Sequence, residues 1–555
     1  MKIEINLEPY NFVEQFFLYY SLGFVFIIIY SLLLSFFKKL DQIGSLIILV
    51  GASVITIMYL TAAIMKKRPD LKFLKKINLI QTLKEGILSI IFIVIVFTSF
   101  HWFFDPVIAK NLAVYPGGDD KIYIFVTKQI IEHKTAITLI DYPYAQEYVH
   151  HILMAAFMVI AAFYSNLLNT IGISVSLPLL HLFLALFYFS MSPISMYIYT
   201  KQLTKNTEFS IITGIVSIFM WRSLLRYLYW GGEGEALGYY LVPLLAIIDY
   251  KLNEFLVKRD IRARDLRLIV LTIVKLILIA EAAYIHIYTL ILYIFIALII
   301  NPIATILNMR HVKLDLVEVV KKYFHVILPY LIILTIIPLS VISAYYALPI
   351  LGMNNEIIGL AYNELMRWDQ NEILNDYFQQ KWTKNWLVLR NGFGINYAIS
   401  KLNSILEQFH GAWIQTFILL TIAYILLWKL KSRKEHATNE RDGALEITTI
   451  MMITALLFFL FTQNSPFGWY YIPYPLAKRI LTVRLYYEWS VFLLYAVSLP
   501  VYLTWIILRS RIQQVMRLGI IEIEARVLWK KITRQKTKTI LTIATITALL
   551  LSIPS

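Results

Sequence analysis

Residues 268–306 read LIVLTIVKLILIAEAAYIHIYTLILYIFIALIINPIATI: two apolar runs, 268–283 and 287–306, joined by a polar tip and flanked by basic stretches at Lys251–Arg267 and Arg310–Lys322. Apolar runs of this kind cross about 30 Å of hydrocarbon as helices. Lys and Arg collect in the cytoplasmic loops of membrane proteins. Both flanks are therefore expected inside, and the tip, Glu281–Tyr288, outside.

The pattern repeats along the chain. Further apolar runs lie near 17–36, 44–65, 86–104, 150–165, 173–199, 207–222, 236–250, 324–348, 413–430, 445–463, 486–508 and 539–553. The expected fold is all-α, a polytopic transmembrane helical bundle of about 13–14 helices. Hydrophobic residues make up 59% of the 555 and mean hydropathy is +0.67. A soluble globular chain holds about 45–50% apolar residues even with glycine counted, so a soluble enzyme is excluded. Lys66–Lys84 carries seven Lys/Arg, Lys429–Arg441 five and Arg509–Lys538 nine, against six and four in the two flanks first quoted. Most of the net charge of +16 therefore orients the chain, and a nucleic-acid partner is not expected. The absence of Cys excludes disulfides, thiolate metal sites and Cys nucleophiles. Aromatics at 15% suggest interfacial belts. Met1–Gln15 is acidic and lacks a small-residue cleavage site, so no cleaved signal is expected.

With the basic stretches inside, three long connections fall outside: 105–149, 349–412 and 464–485, together with the turn at Gly231–Glu235. Three apolar runs separate 105–149 from 231–235, where parity demands an even number. Pro178 and Pro193 make 173–199 the expected site of a hidden turn or re-entry. A hairpin of the first two runs would place Lys38 and Lys39 outside. The organisation expected is 1–85 as an N-terminal hairpin and basic loop, 86–508 as a core with its exterior loops, and 509–555 as a basic segment and apolar helix.

The exterior loops hold the unusual polar residues. Gly117-Gly118-Asp119-Asp120 precedes helical apolar spacing at Ile122, Phe125, Val126 and Ile130, which predicts a short amphipathic helix. One acid suits a helix cap, with Asp120 the natural one, and two adjacent acids exceed what a cap requires. Lys478, Arg479 and Arg484 stand on the side where the charge rule does not place cations. Snorkelling, or pairing of Arg484 with Glu488, is one account of them, and binding of an anionic lipid phosphate is the other. Glu233 and Glu235 occupy a Gly-rich turn able to approach a ligand closely, although acids and glycines are also ordinary turn residues. Glu281 and His286 sit at the hairpin tip, and an ionisable residue at membrane depth is a functional candidate by default. Glu147 and His151, four apart, share a helical face, so a divalent cation such as Mg or Mn is left open, with Asp119 or Asp120 the first choice of ligand.

At these residues the chain resembles the GT-C glycosyltransferases, membrane enzymes that take a sugar from a polyprenyl-phosphate carrier. Gly117–Asp120 stands where that superfamily has its acidic residue in the first large exterior loop, with Asp119 aligning best. Tyr123 and Lys128 fall where aromatic and basic residues follow, Asp141-Tyr142-Pro143-Tyr144 matches the lead-in to the next helix, and Ala280–Leu290 is similar to a His-containing segment. The resemblance implies an inverting transfer in which an acid deprotonates or orients the acceptor while the lipid phosphate leaves. It further implies a polyprenyl-phosphate-linked sugar donor, a lipid, glycan or protein acceptor, and a site facing outside the plasma membrane. Oligosaccharyltransferase subunits of that superfamily carry a Trp-Trp-Asp-Tyr-Gly motif that this chain lacks, so sequon recognition is not expected. The Trp residues at 368, 382 and 386 are expected chiefly to anchor at the interface. A transporter or flippase of a lipid-linked substrate is the competing reading, and it would need polar groups reachable from both faces.

Overall fold

The computed structural model describes residues 10, 12–47, 49–51, 54, 79–109, 118–136, 156–220, 233–259, 266–308, 316–350, 413–432, 439–460 and 485–517. Every regular element among them is a helix, and no strand occurs among the described residues. Five described helical stretches are long and apolar enough to cross a membrane: Val13–Ser35, Leu177–Thr204, Arg267–Ile285, Thr289–Leu307 and Val491–Arg511. Each coincides with an apolar run of the sequence. The run at 539–553, most of 44–65, residues 351–412 of the loop 349–412 and residues 464–484 lie outside the described residues.

Contacts divide the chain into two compact units. The first comprises Met1–Gln202, Leu224–Gln379 and Pro473–Ile480, and the second Leu203–Ser223, Gln380–Ile472 and Leu481–Ser555.

In the first unit the helices are α1 (Phe12–Phe36), α2 (Leu79–Ala109), α3 (Gly118–His133), α4 (Ala156–Thr170) and α5 (Leu177–Thr204). The chain enters the second unit with α6 (Thr207–Met220) and returns with α7 (Glu233–Arg259) and α8 (Leu266–Ile285). Then come α9 (Ile287–Phe295), a π-helical turn at Ile296–Ile300, α10 (Asn301–Leu307) and α11 (Leu316–Ile350).

Hydrogen bonds define two ends of this unit. At one, here the upper end, the Leu40 N–H donates to the Lys134 carbonyl at 2.9 Å and the Ala136 N–H to Ser35 Oγ at 2.9 Å. Asn166 Nδ2 donates to the Leu40 carbonyl at 3.4 Å. At the lower end Tyr10 donates to the Ile198 carbonyl, and Lys201 Nζ lies 2.6 and 2.7 Å from the two Glu14 oxygens, with the Tyr197 hydroxyl donating to the same carboxylate.

The structure corrects the expectation of a hidden turn within 173–199. The run at 173–199 becomes the unbroken helix α5, with Pro193 inside it and Pro178 in its first turn, where the missing N–H is harmless. Ala136 and Asn166 both stand at the upper end. Fifteen residues of α4 span only about 22 Å. Lys38 and Lys39 lie at the same end as the C-terminus of α3. Lys38 closes α1 with a φ of 52°, and the Lys39 N–H reaches back to the Leu34 carbonyl.

Among the described residues most tyrosines, aromatics whose number suggested interfacial belts, are core residues. Tyr188 and Tyr240 stack at 5.7 Å, Phe24 meets both edge-on, and the Tyr240 hydroxyl donates to Ser21 Oγ at 2.6 Å. Phe92 brings α2 against Phe17 and Tyr197. A phenol buries a large apolar area and needs only one polar partner for its hydroxyl; Ser21 supplies it for Tyr240, Glu14 for Tyr197 and Asn301 for Tyr199.

Asp41 follows α1. Its Oδ1 accepts from the Gly44 N–H at 2.9 Å, and Lys134 lies 3.4 Å from Oδ2. The Gly44 N–H above all, and then Lys134, hold its carboxyl below the ordinary aspartate range. A depressed value stabilises the fold above the unfolded pKa, about 3.9, and the benefit is lost as pH falls through the lower folded value. Thermal unfolding of the wild type and Asp41→Asn should differ at pH 7 and converge towards pH 3. A difference that persists unchanged at pH 3 would assign the effect to something other than the charge.

In the second unit α14 (Leu485–Arg517) is the hub, contacting α6, α12 (Trp413–Ser432) and α13 (Asn439–Leu460). Asn206 caps α6 by accepting from the Phe209 N–H at 2.9 Å and donates to Tyr502 at 2.6 Å. Glu208 pairs with Arg509, and Thr421 Oγ1 donates to the Ala496 carbonyl at 2.5 Å.

Candidate functional site

The site forms where the first turn of α7 meets the α8–α9 break. The break is one residue wide. The His286 N–H donates to the Ala282 carbonyl at 3.2 Å, the Leu290 N–H to the His286 carbonyl at 3.0 Å, and Thr289 Oγ1 to the His286 carbonyl at 2.8 Å. The imidazole turns towards α7, where its Nε2 lies 3.4 Å from Glu235 Oε1, with both side chains buried. Gly234 and Gly238 permit the approach. A Cβ on Gly234 would stand 3.3 Å from His286 Cδ2, and one on Gly238 would collide with the Thr289 side chain. The Gly-rich turn thus serves close packing of α7 on α8 and α9 as well as delivering acids. Two candidates separated by 51 positions are brought together.

Known protein families, curated proteins and solved structures provide no match to this chain.

The amphipathic helix α3 reaches the same end. Tyr123, Val126 and Ile130 are buried in a cluster with Leu40, Ala136, Met158, Val159, Ala162 and Phe163, against which Tyr284 packs. Tyr284 lies two residues before His286. Thr127 Oγ1 lies 2.9 Å from His181 Nε2, which ties α3 to the start of α5. Tyr123 is therefore a core residue of that cluster, and Lys128 makes an exposed pair with Glu132 at 3.6 Å.

Asp119 and Asp120 occupy the first turn of α3, since the helix begins at Gly118. Asp120 is inside the helix rather than capping it. Carboxylates in that turn face the positive end of the helix dipole. The side chains of Asp119, Asp120 and Glu233 lie outside the described residues, as do Glu147, His151, Lys478, Arg479 and Arg484 altogether. Among the described residues no group of three or more His, Asp or Glu is placed to hold a metal ion.

Glu281 lies on α8 four residues before its end, about 6 Å along the axis. It is 4% exposed, and its Oε2 has no hydrogen-bond partner.

Deeper in the unit, unforeseen at the motif level, is a buried ion pair. Lys275 Nζ donates to Asp249 Oδ1 at 2.7 Å and to Asn253 Oδ1 at 2.6 Å. Asp249 also accepts from Asn301 at 2.8 Å, from Asn253 at 3.4 Å and from the Tyr330 hydroxyl. The Tyr330 ring faces Lys275 Nζ at 4.3 Å. Asn301, which ends the π-helical turn, donates to the Ala246 carbonyl and accepts from Tyr199, so α5 and α10 join the clamp. The signal was present in the sequence, because Lys275 and Asp249 each interrupt an apolar run, where a charge needs a partner.

Proposed function

We propose that this protein is a polytopic membrane glycosyltransferase of the GT-C kind, moving a sugar from a polyprenyl-phosphate carrier to a lipid, glycan or protein acceptor at the extracytoplasmic face. The observation that carries the reading is the meeting of Glu235 with His286 at the end of the unit where α3, bearing Asp119 and Asp120, also packs. Charge topology assigns all of these residues to one side of the membrane.

In the reaction an acceptor oxygen or nitrogen attacks the anomeric carbon, the bond from that carbon to the phosphate oxygen breaks, and the lipid phosphate departs with the bonding pair. Asp119, with Asp120 beside it, orients the acceptor and takes its proton. Glu235 fixes the His286 ring, which positions a substrate hydroxyl. Lys478 and Arg479 receive the phosphate, a task suited to cations near a membrane surface. Asp119 and Asp120 are also the residues that would hold a divalent cation, Mg or Mn, with Glu147 and His151 the second choice.

The transporter reading draws on the Asp249–Lys275 pair, which lies well inside the unit. Those two side chains spend their hydrogen-bonding capacity on each other and on Asn253, Asn301 and Tyr330, which suits a clamp better than a passage.

The deciding experiment presents purified protein in lipid nanodiscs with a set of polyprenyl-phosphate sugars and an acceptor panel. Transfer by the wild type is expected, falling about tenfold to a hundredfold in Glu235→Gln and His286→Gln, the scale of a lost polar contact to a charged group. If no donor in the set is consumed, and sealed vesicles instead show the protein moving the lipid-linked sugar across the bilayer, the transferase reading is wrong.

A further inference from the structure

Two polar atoms near the site stand buried without partners: Glu281 Oε2 and the Tyr284 hydroxyl. Positions three apart on a helix share a face, so they form one polar spot on α8, within a turn and a half of His286. Tyr284 packs under the α3 cluster, which places the spot at the end of the unit that carries Glu235, His286 and the first turn of α3.

The chemistry of the spot is specific. A carboxylate accepts hydrogen bonds and donates none, and a phenol oxygen also accepts. Burying a carboxylate without a counter-charge is costly, yet among the described residues no Lys, Arg or His is paired with Glu281. The buried carboxylates Glu14 and Asp249 of the same unit each have a lysine. The complement that lets this carboxyl ionise is a cation rich in N–H donors. A metal ion would need more ligating groups than the described residues gather. A primary ammonium offers three N–H donors in a small volume and requires only acceptors.

We propose that Glu281, with Tyr284, is a subsite for a primary ammonium group carried by the substrate. The specificity rests on the transferase reading and deepens it, since the amine belongs either to an amino sugar on the donor or to the acceptor. The shared chemistry is the same in both cases: the ammonium donates to Glu281 Oε2 and to the Tyr284 oxygen, and one end of the substrate is anchored beside His286 without any covalent step.

The test measures binding apart from transfer, using full-length protein in nanodiscs. Glucosamine and phosphoethanolamine serve as the sugar-side and acceptor-side probes, with glucose and N-acetylglucosamine as uncharged controls, read by calorimetry at pH 7. One amine is expected to bind with clear preference over its control, and which of the two does so identifies the source. Glu281→Gln, of nearly the same shape, should weaken that amine about tenfold to a hundredfold and leave glucose unchanged. Tyr284→Phe removes a single oxygen, keeps the packing, and should weaken the amine severalfold, which preserves the test if Glu281→Gln folds poorly. Equal binding of amine and control, or of amine by wild type and both variants, overturns the proposal and leaves only a buried water at the spot. Amine selectivity without sugar transfer would instead remove the transferase reading and keep the subsite.

Discussion

Lys275→Met is expected to destabilise the first unit by about 3–5 kcal/mol, the cost of removing one partner of a buried ion pair. Lys275 and Asp249 are each fully buried, and their nitrogen and oxygen are 2.7 Å apart. Methionine matches the length of the lysine stem but leaves the Asp249 carboxylate with neutral donors only, those of Asn301, Asn253 and Tyr330. The clamp joins α5, α7, α8, α10 and α11, so its loss should lower the unfolding midpoint of the whole unit rather than fray one helix. Denaturant or thermal unfolding in nanodiscs, followed by near-ultraviolet signal, measures it. The double variant Asp249→Asn/Lys275→Met should recover most of the loss, because the buried charge goes with its partner. A single variant within about 1 kcal/mol of wild type, no more than an exposed pair contributes, would show that the pair does not hold the helices.

Asp119→Ala/Asp120→Ala is expected to lower sugar transfer by about 10²–10⁴-fold, the usual contribution of a positioned acid or base. The fall should appear in kcat with little change in KM for the donor, since the proposed phosphate contacts belong to Lys478 and Arg479. The fold should survive. α3 is held by Tyr123, Val126 and Ile130 in its cluster and by the Thr127–His181 contact, none of which is altered. Loss of the favourable charges in its first turn costs roughly 0.3–1 kcal/mol each. Comparing the single variants separates the roles: Asp119→Ala should approach the double variant, and Asp120→Ala should lie nearer wild type. Equal transfer by wild type and double variant would remove the pair from the mechanism.

Most helices were legible because hydropathy is a local property of the chain. The run at 268–283 is α8, that at 287–306 covers α9 to α10, and the spacing after Gly118 is α3. The prolines misled the reading of 173–199, because a lone Pro inside a long apolar helix loses one hydrogen bond without ending it. The tyrosines misled in another way. Composition states how many there are, whereas only the packing shows that Tyr240, Tyr197 and Tyr199 are buried with their hydroxyls on Ser21, Glu14 and Asn301.

Taken alone, the sequence determined that the chain is helical and apolar enough for a membrane, where its runs begin and end, and which residues stand out of place in them. Those are statements about neighbours along the chain, where period and hydropathy act. Only the tertiary structure decided that His286 faces Glu235, that Lys275 neutralises Asp249, and that Glu281 and Tyr284 share a buried spot without partners. The first two join α7 to α8 and the α8–α9 break. They depend on how closely two helices approach, and here Gly234 and Gly238 set that approach by leaving room for the side chains opposite.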